Sequence, residues 1–179
     1  MITSWNTDRL SASRIASQYF DDVCRLHSDP MVMRTLSADG EPLCDEKTIE
    51  SIADAEMHWE KHGFGFWVFH SRSDGQFVGR GGLKKYTLKD LGGQQEVGLA
   101  YAVTSPLWNR GFATEMARGI LDIGFTVFDF PNIASWTLPQ NKASQRVMEK
   151  LGFRYERDFC FAGLPHRFYN LKADSNPQD

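Results

Sequence analysis

The spacing of apolar positions along the chain predicts alternating strands and helices. Recurrence at every third or fourth position predicts four helices, over Ile15–His27, Thr48–His62, Gly111–Phe128 and Asn141–Leu151. Short apolar or alternating runs predict strands at Phe66–Phe69, Gln76–Gly79, Glu96–Val103, Ile133–Leu138, Phe153–Phe161 and Arg167–Leu171. A further strand, expected at the edge of a sheet, begins at Asp8–Leu10.

Turn and cap residues support these boundaries. Gly63 and Gly152 directly follow two of the predicted helices, where a C-cap glycine is common, and Ser73-Asp74-Gly75 predicts a hairpin turn. The order is a strand, two helices, three antiparallel strands, then helix, strand, helix and two strands. This order predicts a mixed α+β sheet with helices on both faces. We expect residues 1–179 to form one domain, with a disordered tail at about 173–179.

Composition and charge exclude several classes of function. The chain has 179 residues and a net charge of −3, so no basic field indicates a nucleic-acid partner. Its three cysteines form no C-x-x-C pair and its five histidines show no ligand spacing, so we expect no metal. No apolar run approaches the ~18 residues of a membrane span, and no signal peptide is evident at the start. We expect a soluble, cytoplasmic protein.

The segment Glu96–Glu115 carries the first chemical signal. It contains a predicted strand, a turn at Ser105-Pro106, a loop with Gly111 and then a helix. A helix N-terminus offers unpaired N–H groups and the positive end of the helix dipole, and so can bind phosphate. Small residues at Gly111 and Ala113 let a phosphate approach the backbone. On its own, this pattern also describes a tight strand-to-helix turn.

A second segment at the right distance makes the signal specific. Asn109–Glu115 resembles the acyl-CoA loop of GNAT N-acetyltransferases, with the pattern Q/R-x-x-G-x-G/A, and Asn141–Phe153 resembles their second signature. Trp108 stands where Gln or Arg is usual, and this variant is similar to the RimJ/RimL ribosomal-protein acetyltransferase branch. Thr7–Leu10 and Ser28–Met33 also resemble that branch. The resemblance extends from about residue 7 to residue 172 and implies a GNAT-type, mostly antiparallel sheet.

The resemblance implies acetyl-CoA as co-substrate and assigns roles to individual residues. Backbone groups of three strand residues would pair with the pantetheine arm: Tyr101, Ala102 and Val103. Backbone N–H groups of six loop residues would hold the pyrophosphate: Asn109, Arg110, Gly111, Phe112, Ala113 and Thr114. The Asn141 side chain would bond the pantetheine or an ordered water, and Ser144, one helical turn later, would reach the sulfur.

Two residues are candidates for proton transfer. Glu96 shares a strand face with Gly98, Ala100 and Ala102, and is either a general base for the attacking ammonium or a carboxylate in a salt bridge. Many GNAT enzymes have a tyrosine as general acid seven residues after the motif asparagine, but this chain has Met148 there, which cannot donate a proton. Ser144, water or no dedicated acid remain as alternatives.

The implied reaction is direct transfer of acetyl to a primary amine in a ternary complex, by a monomer or homodimer. The acceptor is a protein N-terminal amine or a small-molecule amine such as a polyamine, amino acid, amino sugar or antibiotic. A non-catalytic acyl-CoA-binding module is the third alternative, and the presence of both Glu96 and Asn141 argues against it. We expect Asp29–Thr48 and the hairpin loops to select the acceptor, while Phe64 and Phe66 either border its site or pack in the core.

Overall fold

The structure, a computed structural model, describes residues 2–173, and within them eight strands form one sheet. The strands are β1 (Ser4–Asn6), β2 (Leu10–Arg14), β3 (Phe66–Ser71), β4 (Phe77–Leu88), β5 (Gln94–Val103), β6 (Asn132–Thr137), β7 (Arg154–Phe161) and β8 (Leu164–Lys172). The helices are α1 (Phe20–His27), α2 (Pro30–Leu36), α3 (Asp45–His62), α4 (Phe112–Thr126) and α5 (Lys142–Lys150).

The sheet is mixed and mostly antiparallel, which confirms the predicted fold class. Its strand order is β1-β2-β3-β4-β5-β6-β8-β7, and β5 and β6 are the parallel pair. Ten consecutive residue pairs join β4 and β5, from Gly79↔Val103 to Leu88↔Gln94. In contrast, β5 and β6 meet at a single register position, Gly98↔Ala134. The sheet therefore splits between these two strands.

Helices cover both faces of the sheet. Alternate residues of a strand point to opposite faces, so Arg80 and Gly81 on β4 face different helices. A Cβ atom on Gly81 would lie 3.0 Å from the side chain of Ile120, which places α4 on the Gly81 face. The charge of Arg80 acts on His27, which places α1 on the opposite face.

Two apolar clusters hold the layers together. The larger cluster is centred on buried aromatic residues that meet edge to face, among them Trp59 and Trp67 with ring centroids 5.1 Å apart. The smaller cluster covers the far part of the Arg80 face, where Tyr86 meets Trp136 at 4.7 Å and Trp136 stacks on Phe168 at 6.2 Å. This second cluster forms one wall of the site described below.

The N-terminal third differs from the sequence prediction in three places. The helix predicted over Ile15–His27 begins only at Phe20, because Ile15 is a buried residue that directly follows β2. The predicted edge strand is β2, which has a neighbour on each side, and β1 is the edge instead. The prediction also missed α2, whose N-cap is Asp29: its side chain accepts a hydrogen bond from the Met31 N–H at 2.9 Å.

The other boundaries agree to within a few residues, and Gly63 has the left-handed conformation expected of a C-cap residue, with φ of 76°. The strand predicted at Gln76–Gly79 is the start of the much longer β4. At the C-terminus, the Ala173 N–H donates to the Pro131 carbonyl at 3.1 Å. The rest of the tail predicted at 173–179 lies outside the described residues.

Candidate active site

The split between β5 and β6 opens into a cleft of about 1150 Å³. The strands part just beyond Gly98, where the Ser135 hydroxyl donates to the Leu99 carbonyl at 3.0 Å. From there the edge of β5 from Ala100 to Val103 lines the cleft. Residues of α2 and α3 border the cleft on the Arg80 face, and α5 borders it on the other side.

Backbone direction along β5 separates the three residues predicted to bond the pantetheine arm. The Val103 carbonyl accepts a hydrogen bond from the Trp108 indole at 2.7 Å, so the backbone of Val103 points to the open edge. Because backbone direction repeats every second residue of a strand, the backbone of Tyr101 points the same way. The Ala102 carbonyl points the other way, since it lies 2.1 Å from where a Cβ on Gly79 of β4 would be. The prediction for Ala102 is therefore wrong: its backbone faces β4, and its side chain lines the cleft.

The loop after β5 brings backbone amides to the start of α4. Asn109 and Gly111 both have positive φ, 60° and 80°, and Gly111 is the N-cap residue of the helix. Positive φ at alternate residues just before a helix N-terminus is a conformation in which backbone N–H groups can form an anion site. Five of the six residues predicted for the pyrophosphate line the cleft: Asn109, Gly111, Phe112, Ala113 and Thr114. Arg110 is not among its lining residues.

Thr7 and Arg9 of the N-terminal segment bind Glu115 and hold this loop in place, and the sequence did not predict these contacts. The group of contacts between Thr7, Arg9 and Glu115 is called the brace below. Glu115 accepts hydrogen bonds from the Thr7 hydroxyl, from the Arg9 backbone N–H at 2.9 Å and from Arg9 Nε at 2.6 Å. Arg9 also donates to the Arg110 carbonyl at 3.0 Å and lies 4.4 Å from the centre of the Phe112 ring. Burial alone would raise the pKa of Glu115, but the bonds from Thr7 and Arg9 and the Arg9 charge hold it below its usual value.

Asn141 lies at the cleft as the N-cap residue of α5. Its side-chain Oδ1 accepts a hydrogen bond from the Ser144 N–H at 3.2 Å. This bond gives Asn141 a helix-capping role, and it uses the side-chain oxygen and not the amide Nδ2. The structure therefore supports the cap, while the predicted bond to pantetheine stays a prediction.

Ser144 and Tyr101 form a pair of hydroxyl groups in the cleft. The Tyr101 hydroxyl lies 3.1 Å from Ser144 Oγ and 3.2 Å from the Ser144 carbonyl oxygen. Burial raises the pKa of Tyr101 well above its usual value, so the phenol keeps its proton. Met148, at the position of the usual general acid, is fully buried in the core. The signal missed in the sequence was the side chain of Tyr101, which had been considered for its backbone alone.

Glu96 lies behind the cleft and is not one of its lining residues. The register confirms that it shares a face with Gly98, and a Cβ on Gly98 would lie 2.8 Å from both the Tyr86 and the Trp136 rings. These two rings therefore stand between Glu96 and the open cleft. The Glu96 carboxylate accepts hydrogen bonds from the amides of Gln94 and Asn132 and is 7% exposed. Its general-base role stays a prediction, without direct access to the cleft.

His166 on β8 is a second candidate base, which the histidine spacing did not reveal. It lines the cleft beside Phe161, with ring centroids 5.7 Å apart. Its Nδ1 lies 3.0 Å from the Leu164 carbonyl oxygen, a contact that requires Nδ1 to carry the proton. The neutral ring then has Nε2 as its proton-accepting nitrogen.

Comparisons with known proteins agree with this geometry. A family model described as an acetyltransferase (GNAT) domain matches residues 9–154. The uncharacterized protein YkkB of Bacillus subtilis (strain 168) is 30% identical over 149 residues, 83% of this chain and 83% of that protein. An acetyltransferase from Agrobacterium tumefaciens str. C58 matches with a TM-score of 0.79 at 20% identity, over 96% of this chain and 95% of that chain. RimL, a ribosomal L7/L12 alpha-N-protein acetyltransferase solved in complex with coenzyme A, matches with a TM-score of 0.75 at 10% identity, over 95% and 97%.

The chain therefore belongs to the GNAT acetyltransferase domain family. At 20% and 10% identity the two solved structures show a shared fold. Within residues 2–173, no group of three or more His, Cys, Asp or Glu side chains is placed to hold a metal ion. The same part of the chain has no helix that is long and apolar enough to cross a membrane.

Proposed function

We propose that this acetyltransferase uses acetyl-CoA and transfers the acetyl group to a primary amine by direct attack in a ternary complex. One observation carries the proposal: the open edge of β5 leads directly into the amide-lined loop at the start of α4. A single extended ligand can therefore pair with the strand edge and place its pyrophosphate on the loop. Acetyl-CoA supplies an activated thioester, and the remaining tasks fall to the residues of this chain.

Binding and orientation come mainly from the backbone. Tyr101 offers its N–H and C=O groups at the open edge and Val103 offers its N–H, since the Val103 carbonyl accepts from the Trp108 indole. A Val103 N–H near the thioester would stabilise negative charge on the thioester carbonyl oxygen. The N–H groups of Asn109 and of residues 111–114 would hold the pyrophosphate, and Asn141 would add its side-chain amide. Holding both reactants in one geometry contributes several kcal/mol in enzymes of this kind.

Protonation of the departing thiolate would fall to Ser144 Oγ or to water. The Tyr101 hydroxyl, 3.1 Å from Ser144 Oγ, keeps its own proton and holds the Ser144 side chain in position. Removal of a proton from the amine falls to Glu96 acting through water or to His166 acting directly. The lining of the cleft favours His166, because Glu96 lies behind Tyr86 and Trp136.

The acceptor is a primary amine, and a protein N-terminal amine is the first candidate, as the resemblance to the RimJ/RimL branch suggests. A small-molecule amine is the second, and the cleft between α2, α3 and Trp136 has the volume to hold one. Thiol release from acetyl-CoA, measured against a panel of small amines and N-terminal peptides, tests the function. If no amine raises release above hydrolysis although CoA binds, the chain is a binding module and the proposal fails.

Two conservative variants assign the base. His166→Gln and Glu96→Gln are compared at equal folded concentration with the best amine of the panel. The acting base should lose about 10²-fold or more in rate at pH 7, with CoA affinity unchanged. The deficit should shrink as pH rises, because free amine becomes abundant without help. Wild-type rates in both variants would show that the amine loses its proton to bulk water.

A further inference from the structure

An arginine with an unsatisfied buried nitrogen lies in the cleft, on the face bordered by α2 and α3. Arg80 on β4 lines the cleft, and its Nε is buried without a hydrogen-bond partner within the described residues. Its guanidinium carbon lies 5.3 Å from the centre of the Phe66 ring, which supports one face of the group. Lys84, on the same face of the same strand, lines the cleft as well.

No carboxylate of residues 2–173 forms an ion pair with Arg80. The acidic residues that line the cleft, Glu50 and Asp54, are exposed on α3. Another titratable group that the Arg80 charge affects is buried His27: burial and then the Arg80 charge lower the pKa of that imidazole to about 3, so His27 is neutral and adds no anion. The guanidinium is thus charged, partly desolvated and not neutralised by the protein.

Such an arrangement is costly unless an anion completes it. Removing a charged group from water has a penalty that one aromatic ring offsets only in part. A guanidinium presents its N–H groups in a planar fork that matches a carboxylate with two parallel hydrogen bonds. A ligand carboxylate would therefore satisfy Arg80 in both charge and geometry.

The position of Arg80 relative to β5 places that anion on the acceptor and not on the cofactor. Arg80 lies opposite Ala102, so β5 stands between it and the open edge where the cofactor arm would add as a strand. On the Arg80 face, the neighbours that the register places beside Arg80 toward this edge are small: Gly82 on β4, and Ala100 and Ala102 on β5. An acceptor lying across this small-residue surface would have its amine at the β5 edge and its anionic group at Arg80.

We propose that the acceptor amine carries a carboxylate and that Arg80 binds it. This inference rests on the proposed N-acetyltransferase function, and it names the acceptor as an aminocarboxylate or as a peptide with an acidic residue near its N-terminus. The two sources share the same recognition chemistry, and matched compounds distinguish them.

The test compares aminocarboxylates of increasing chain length with their own carboxamides, and N-terminal peptides with Asp or Glu against Asn or Gln. With the wild-type protein we expect kcat/KM at least tenfold higher for the carboxylate member of the preferred pair. A ratio near one in every pair overturns the inference while leaving the acetyltransferase function intact. If no amine reacts, calorimetric titration of the CoA-loaded protein with N-acetylglycine and N-acetylglycinamide tests Arg80 separately: tighter binding of the carboxylate supports the inference, and equal binding overturns it.

Variants then assign the effect to the side chain. Arg80→Met should reduce the carboxylate-to-amide ratio to about one, and Arg118→Met, which removes an exposed charge on α4 away from the cleft, should leave it unchanged. Thermal unfolding of Arg80→Met should occur at the same or a higher temperature, since a cation without a protein partner is removed. A preference that persists in Arg80→Met overturns the assignment. Should that variant not fold, Arg80→Lys replaces it, with weaker but not abolished discrimination expected because Lys lacks the fork.

Discussion

Replacement of Glu115 by Gln should weaken both the fold and the binding of CoA, because the brace at the start of α4 depends on a charged acceptor. The wild-type carboxylate receives hydrogen bonds from Thr7 and from two N–H groups of Arg9. Gln keeps one acceptor oxygen and turns the other position into a donor that faces Arg9. The Glu115 side chain is only 16% exposed, so water cannot replace the lost bond freely.

The magnitude follows from these contacts. The Arg9 side chain is 49% exposed, so its ion pair with Glu115 contributes about 0–1 kcal/mol. The hydrogen bonds to the buried side of the carboxylate matter more, at roughly 1.5–3 kcal/mol for a bond to a charged group. Loss of one such bond predicts a fall of about 2 kcal/mol in the free energy of unfolding. Because Arg9 also donates to the Arg110 carbonyl, CoA affinity should fall about tenfold, or ~1.4 kcal/mol.

Urea unfolding and calorimetric titration with CoA measure the two effects. The matched control is Glu149→Gln, which removes an exposed carboxylate of α5 that does not line the cleft. The folded-state pKa of Glu115 is lowered, so its contribution is present above the unfolded value of 4.5 and is lost as pH falls through the folded pKa. The stability difference between wild type and Glu115→Gln should therefore shrink below about pH 4.5. Equal stability and equal CoA affinity at pH 7 would refute the brace.

Three further predictions concern the cap residue Asn141, the loop residue Gly111 and the buried His58. Asn141→Ala should lose about 1 kcal/mol of stability, while Asn141→Asp keeps the helix cap. Thermal unfolding and turnover are measured for both variants. A loss of turnover in Asn141→Asp at full stability would show that the side-chain amide has a role toward the cofactor beyond capping. Gly111→Glu should weaken CoA binding more than tenfold in calorimetry, because its carboxylate would repel the pyrophosphate. Gly111→Ala is the control, since any side chain is strained at the φ of 80° found here. Equal losses of affinity in the two variants would show that charge repulsion does not contribute. His58 should destabilise the fold in acid: burial lowers its pKa to about 4, so unfolding takes up a proton below the unfolded value of 6.5. Stability should fall by on the order of 2 kcal/mol between pH 7 and pH 5 from this group, and His58→Gln should show a shallower pH dependence in urea unfolding.

The sequence predicted most accurately the unit from β5 to α5, because its apolar periodicity is strong and its turns carry Gly, Pro and Asn. It failed at β4, of which only the beginning was recognised. Gly79 and Gly82 interrupt the apolar pattern there for a reason that lies in the neighbouring strands. A Cβ on Gly79 would lie 2.1 Å from the Ala102 carbonyl oxygen, and one on Gly82 would lie 2.3 Å from the Gly65 carbonyl oxygen. Close approach of backbones selects glycine, and periodicity cannot show it.

In the candidate site, too, some residues could be predicted from the sequence and others could not. The cofactor loop was found because its residues are consecutive and its chemistry is backbone chemistry, which depends on local conformation. The brace could not be found, since Thr7 and Glu115 are 108 residues apart in sequence and meet where Trp5 and Thr7 pack against α4 at Gly119. Arg80 and His166 were missed for a related reason: each becomes noticeable only when the structure shows which groups surround it.

Strand alternation explains how one segment of β5 can serve two ligands. At Tyr101 and Val103 the backbone points away from β4 to the open edge, where the Val103 carbonyl accepts from the Trp108 indole and the other polar groups face the cleft. At Ala100 and Ala102 the backbone pairs with β4, and only a methyl group projects onto the Arg80 face. Larger side chains at these two positions would fill the surface on which an acceptor has to lie, without touching the edge that holds the cofactor. The run Ala-Tyr-Ala-Val is therefore consistent with two separate requirements, a free backbone edge at every second residue and a small side chain at the residues between.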